Sequence, residues 1–135
     1  MQLAAFRQSL PDSQQYEIHR FFVARWDIVK ARFLTQQPGR RLDTLEVRSA
    51  ARAYGFDTPQ TIDSWAYVDP IRAMSDAIDP DIPVILALIA REEEGARPIP
   101  LLIDGLHRLY KAYREERIHI PCYALTPQEE QLCRL

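Results

Sequence analysis

Apolar positions in the first third of the chain recur at helical spacing. Phe22, Trp26, Val29 and Phe33 stand at i, i+4, i+7 and i+11, which places them on one face of a helix. Asp12 or Ser13 supplies a start signal, so the pattern predicts a helix from there to about Leu34, closed by Pro38-Gly39. A second start follows. Asp43 and Glu46 have the spacing of a capping box, and Leu42 and Val47 that of a hydrophobic staple. Val47, Ala50, Ala51 and Tyr54 form the apolar stripe behind them, and Gly55 stands where a helix commonly ends in a left-handed residue. The spacing therefore predicts two amphipathic helices within residues 1–57, packed on a core supplied by the rest of the chain.

From Ile62 the period shortens to two. Ile62 to Val68 alternates and is rich in β-branched and aromatic residues, which predicts a strand. Asp69-Pro70 offers an N-cap and an N1 proline for a short helix through Ile78, with Ile71, Met74 and Ile78 facing inward. Asp79-Pro80-Asp81 reads as a turn. The continuous apolar run from Pro83 to Ala90 is what a strand buried on both faces would show. A charged loop at 91–97 leads to a strand at Ile99–Ile103, and a helix follows from Leu106, with Leu106, Leu109, Tyr110 and Tyr113 on its apolar face. Ile118 to Leu125 reads as a last strand, in which Pro121 marks an edge or a bulge. Thr126-Pro127-Gln128-Glu129 then opens a terminal helix with a capping box. These period changes give an α/β (α+β) fold. Two N-terminal helices (1–57) pack on a domain of residues 58–135 with a small mixed sheet, the whole forming one structural unit.

Hydrophobic residues make up 47% of the chain and charged residues 27%, an ordinary globular balance. No apolar run approaches the ~18–20 residues that cross a bilayer, and the first residues do not resemble a signal peptide. The expectation is a cytoplasmic protein with no membrane partner. Cys122 and Cys133 lack metal-type spacing, and His19 and His119 lack partners at ligand spacing, so no metal site is expected. The net charge of −2 does not favour a DNA partner bound over the whole surface. It is unevenly spread, with nine Lys/Arg against six Asp/Glu in residues 1–60 and eight against thirteen in the remainder. A polyanion contact outside the main site would thus fall to the N-terminal part, where Arg40-Arg41 stand. Ala50 to Phe56 has the small-residue pattern of half a helix-turn-helix, but the segment that should be the recognition helix alternates like a strand.

One junction concentrates chemistry. The strand Pro100 to Ile103 passes through Asp104-Gly105 directly into the helix that begins Leu106-His107-Arg108. A helix start presents N–H groups without intrahelical acceptors and the positive end of a dipole. A glycine there lets a phosphate approach the backbone. Arg108 adds a planar donor fork suited to phosphate oxygens. His107, Lys111 and Arg114 recur at i, i+4, i+7 as a cationic stripe. The residues alone leave two readings open, an anion site or a tight strand–helix turn with a solvated basic face.

This order of elements, with Asp104-Gly105-Leu106-His107-Arg108-Leu109 and the later Ile118-His119-Ile120-Pro121-Cys122-Tyr123-Ala124-Leu125, resembles the ParB/sulfiredoxin superfamily over roughly residues 62–132. Gly105 to Arg108 matches its Gly-x-x-Arg phosphate loop, and Asp81 to Leu86 is similar to the family's strand after its short helix. The resemblance implies ParB/sulfiredoxin topology in a bacterial-type protein. It also implies a nucleotide- or phosphate-binding loop formed by Gly105, Leu106, His107, Arg108 and Lys111, with Asp69 and Arg72 as a second nucleotide-contacting segment. The ligand would be a nucleoside triphosphate, with magnesium, or another phosphorylated small molecule. Asp104 and His107 would be the catalytic candidates for weak NTPase or phosphotransfer activity, as in the ParB-fold free-serine kinases, whose loop is similar. Leu106 stands where sulfiredoxins carry their catalytic cysteine, so sulfinic acid reduction is not expected. Partition proteins continue into a helix-turn-helix domain; here about ten residues follow the last strand, and centromere recognition in that manner is not expected. Nothing forms the carboxylate cluster of a metal-assisted nuclease. The competing reading is a non-enzymatic module, either a DNA-associated regulator of plasmid or phage partition type or a protein-interaction domain. A homodimer is compatible with either.

Overall fold

The structure is a computed structural model and describes residues 2–21, 24–59, 66 and 68–135. Along the chain run helix α1 (Leu3–Ser9), strands β1 (Ile18–Phe21) and β2 (Ala24–Asp27), helix α2 (Ile28–Thr35) and strand β3 (Asp43–Glu46). Helices α3 (Val47–Ala53) and α4 (Pro70–Ala73) follow, then strands β4 (Val84–Ile89) and β5 (Ile99–Asp104), helix α5 (Leu106–Arg114), strand β6 (His119–Leu125) and helix α6 (Pro127–Cys133). Among the described residues β1 and β2 form one sheet, and β3 to β6 belong to a second. The fold is mixed α/β, of the α+β kind. Its contacts gather into two compact units, one of residues 1–41, 85–104 and 124–135, the other of residues 42–84 and 105–123, so both draw on residues before and after position 57.

In the first unit the single helix expected up to Leu34 does not form. Residues Ile18–Phe21 instead pair antiparallel with Ala24–Asp27, from Ile18 opposite Asp27 to Phe21 opposite Ala24. Ile18, Phe21 and Trp26 favour a pleated, half-buried surface at least as well as a helix. Asp27, which a continuous helix would place in its interior, accepts the Lys30 N–H at 3.1 Å and so opens α2 one residue later. Phe22 of the expected stripe lies outside the described residues. Trp26 and Val29 are buried, but from a strand and a helix respectively. Around Trp26 gather Ile28 and Ala31 of α2, alternate residues Ile85 and Ala87 of β4, and Leu101 and Ile103 of β5. Strands β4 and β5 pair antiparallel, with an irregularity between Ile85 and Leu86. Helix α6 begins with the capping box that the sequence announces, Thr126 and Glu129 exchanging bonds, and packs on α2.

In the second unit the capping box expected at Asp43 is replaced by a strand. Asp43 to Glu46 pairs antiparallel with β6, from Asp43 opposite Cys122 to Glu46 opposite His119. The Val47 N–H extends that ladder to the Ile118 carbonyl at 2.9 Å, and α3 starts only at Val47. Pairing with β6 gives Asp43 to Val47 backbone partners that a helix start would leave unmet, so pairing prevails over local capping chemistry. The end of α3 is as the sequence reads. Gly55 has φ +76, its N–H reaches Arg52 O at 3.0 Å, and Phe56 N–H reaches Ala51 O at 2.8 Å, a Schellman closure. Most of the strand expected at Ile62–Val68 lies outside the described residues; Ala66 and Val68, which are described, are buried and not in a strand. Asp69 caps α4 through the N–H groups of Ile71 and Arg72. That helix ends at Ala73 rather than Ile78. Ile71 and Met74 are 87% and 42% exposed, not inward, because a single turn has room for one buried position and the small Ala73 takes it against α5.

Candidate functional site

The strand-to-helix junction forms as expected. Gly105 is the N-cap of α5 at φ +108, a conformation that L side chains rarely adopt, and no side chain caps the helix there. The inner face of α5 is fixed by buried Leu109, Tyr110 and Ala112, with the Tyr110 ring edge-on to Phe56 at 5.2 Å. A Cβ on Gly105 would lie 2.9 Å from the Val84 Cβ and closer still to Val84 Cγ1. Close packing against Val84 therefore demands a glycine here before any ligand is considered.

Two of the expected phosphate-binding cations have turned to the backbone. NH1 of Arg108 donates to the carbonyls of Ile82 at 3.0 Å and Pro83 at 2.6 Å. Lys111 Nζ donates to Ser75 O at 2.9 Å and Ile78 O at 2.8 Å. Together they strap the segment between α4 and β4 onto α5. Of the expected cationic stripe, Arg114 is exposed and His107 and Lys111 are half-buried. Leu106 is half-buried in the first turn.

His107 lies on the side of α5 that meets α4. Burial lowers its pKa first, the neighbouring Arg72 cation lowers it further, and Asp69 offsets part of both. The structure thus brings Asp69 and Arg72 to His107, a grouping that the sequence suggested only through the family resemblance. Asp104, the other catalytic candidate, is engaged within the first unit. Its two carboxylate oxygens accept from Nε and NH2 of Arg32 at 2.9 Å each, and Arg32 also holds Glu17 at 2.7 Å. With 9% of its side chain exposed, Asp104 serves that ion pair. The sequence carries no signal for it, since Arg32 is 72 positions away.

No family model, curated protein or solved structure matches the chain. Among the described residues no group of three or more His, Cys, Asp or Glu could hold a metal ion. Of the acidic residues expected at the site, Asp69 caps α4 and Asp104 is paired with Arg32. What α5 offers chemically is an N-terminus without a side-chain cap, a glycine backbone, and a mixed imidazole and guanidinium pair beside it.

Proposed function

We propose that the second unit binds a phosphorylated small molecule, a nucleotide in the first instance, at the N-terminus of α5. The observation that carries this reading is the uncapped start of α5 with His107 and Arg72 at the same end, whereas the neighbouring α4 is closed by Asp69. Backbone N–H groups of the first turn would receive a phosphate oxygen, and Arg72 would neutralise its charge. Arg108 holds Ile82 and Pro83 in place through NH1. Any hydrolysis or phosphotransfer would fall to His107, whose lowered pKa keeps the imidazole neutral and able to accept a proton near pH 7. No step is assigned to a metal.

The test is calorimetric titration with nucleoside mono-, di- and triphosphates, with and without magnesium, on the parent, Arg72→Ala and His107→Ala. Loss of one charge-assisted contact should weaken binding by about ten-fold or more in Arg72→Ala. A folded parent that binds neither nucleotide nor pyrophosphate would overturn the proposal. A second reading, a protein-interaction module, is favoured by the apolar side chains of Ile71 and Ile82, 87% and 54% exposed in the same unit.

A further inference from the structure

A cleft of about 880 Å³ opens at the opposite end of α5, within the second unit. Its size falls within the range of small-molecule sites, roughly 300–1,000 Å³. Tyr113 gives it aromatic surface, backed by the largely buried Phe56 ring, which Tyr110 holds edge-on. Two of its charged groups are already committed: Glu46 accepts the Ser49 hydroxyl at 2.7 Å, and Arg117 holds Asp81 at 2.7 Å and Glu115 at 3.1 Å. Three are not. Arg48, Arg114 and Glu116 line the cleft and have no hydrogen-bonded or ionic side-chain partner among the described residues.

Glu116 is the unexpected member. It closes α5 with the same Schellman motif that Gly55 provides for α3, its N–H on Tyr113 O at 3.1 Å and the Arg117 N–H on Ala112 O at 2.9 Å. Yet Glu116 does so at φ +58, the one non-glycine residue with positive φ among the described residues. A Cβ makes that conformation unfavourable, and a glutamate has no local hydrogen bond with which to offset it. Its carboxylate also stands at the negative end of the α5 dipole, where an acid is disfavoured. The helix end explains the left-handed backbone but not a glutamate in it, and a glutamate that lines a cleft there points to a role for its side chain.

We propose that this cleft binds a small amphoteric molecule bearing an aromatic ring. The acidic group of the ligand would lie on Arg48 and Arg114, its ammonium on Glu116, and its ring against Phe56 and Tyr113. An α-amino acid with an aromatic side chain is the simplest compound with all three groups. This site is separate from the α5 N-terminus and does not depend on what binds there.

The test is an amide-resolved NMR titration of the full chain with L-phenylalanine, 3-phenylpropionate, which lacks the ammonium, and phenethylamine, which lacks the carboxylate. L-Phenylalanine should shift the amides of Val47, Arg48 and residues 113–119 saturably, and each analogue should bind about ten-fold more weakly. Glu116→Gln should erase the preference over 3-phenylpropionate, and Arg114→Ala the preference over phenethylamine. Glu116→Gly separates the side chain from the fold: it should lose the first preference while its thermal midpoint rises. The proposal is overturned if L-phenylalanine shifts no amide around the cleft, if it binds no better than its analogues, or if Glu116→Gln keeps the parent's discrimination.

Discussion

Gly105→Ala probes the junction on which the phosphate loop is built. Two costs add. A residue with a Cβ at φ +108 is strained, by about 1–2 kcal/mol for left-handed backbone. The new methyl would also stand 2.9 Å from the Val84 Cβ and nearer still to its Cγ1, and overpacking of a filled core typically costs about 1–3 kcal/mol. Val84 is fully buried, so it has little room to yield. The expected destabilisation is about 2–5 kcal/mol. Val84→Ala alone should cost about 1–3 kcal/mol through the cavity it leaves. In the double variant Cγ1 is gone, so the combined loss should fall short of the sum by about 1–2 kcal/mol. Urea unfolding of the four proteins measures all three quantities. A Gly105→Ala protein within about 0.5 kcal/mol of the parent, or a strictly additive cycle, would refute this account of the glycine.

Arg108→Ala removes the donor to Ile82 O and Pro83 O; because these bonds are only partly buried, it should destabilise the chain by about 1–2 kcal/mol in urea, with Arg108→Lys recovering part. His19 and His107 are both held below the ordinary value of about 6.5, by burial first in each case. The unfolded chain then binds protons that the folded chain resists, so stability is full above about pH 6.5 and falls as the pH drops toward the folded values. Thermal midpoints from pH 5 to pH 8 should show this slope, and His19→Gln with His107→Gln should flatten it. Glu130→Ala should cost about 2–4 kcal/mol, because Trp26 Nε1, which donates to Glu130 at 2.8 Å, loses its acceptor in the core and Arg134 loses its carboxylate. Burial pushes the Cys133 thiol up to about 11, so a thiol reagent at pH 8 should label it only after denaturant is added.

From β4 onward most elements were legible because they announce themselves locally, although Pro121, which reads as an edge or a bulge, lies in an inner strand with unbroken register to β3. The apolar run of β4, the Asp104-Gly105 junction and the Thr126 capping box depend on neighbours in sequence, and each forms where it reads. The N-terminal part was not legible for the same reason reversed. Residues 18–27 carry spacing compatible with a helix and with a hairpin, and Asp43 to Glu46 carry the letters of a capping box, but partners far along the chain decide both. Strand β3 is a strand because Ile120 and Cys122 lie opposite Leu45 and Asp43. The candidate site divides along the same line. Gly105 at the start of α5 could be read, whereas the diversion of Arg108 and Lys111 onto carbonyls, and of Asp104 onto Arg32, could not. A lone arginine in a sequence does not say which oxygen it will find.

Trp26 meets Glu130 across 104 positions and Arg40 meets Glu129 across 89. The first unit is thus assembled from three stretches of chain, the last beginning at residue 124, while the second is complete by residue 123. During synthesis these contacts cannot close until α6 has left the ribosome, whereas every segment of the second unit has by then been made. Long loops are slow to close, and an apolar surface that waits for its partner is open to aggregation. The order of translation therefore leaves the contacts of α6 with β2 and α2 to close last.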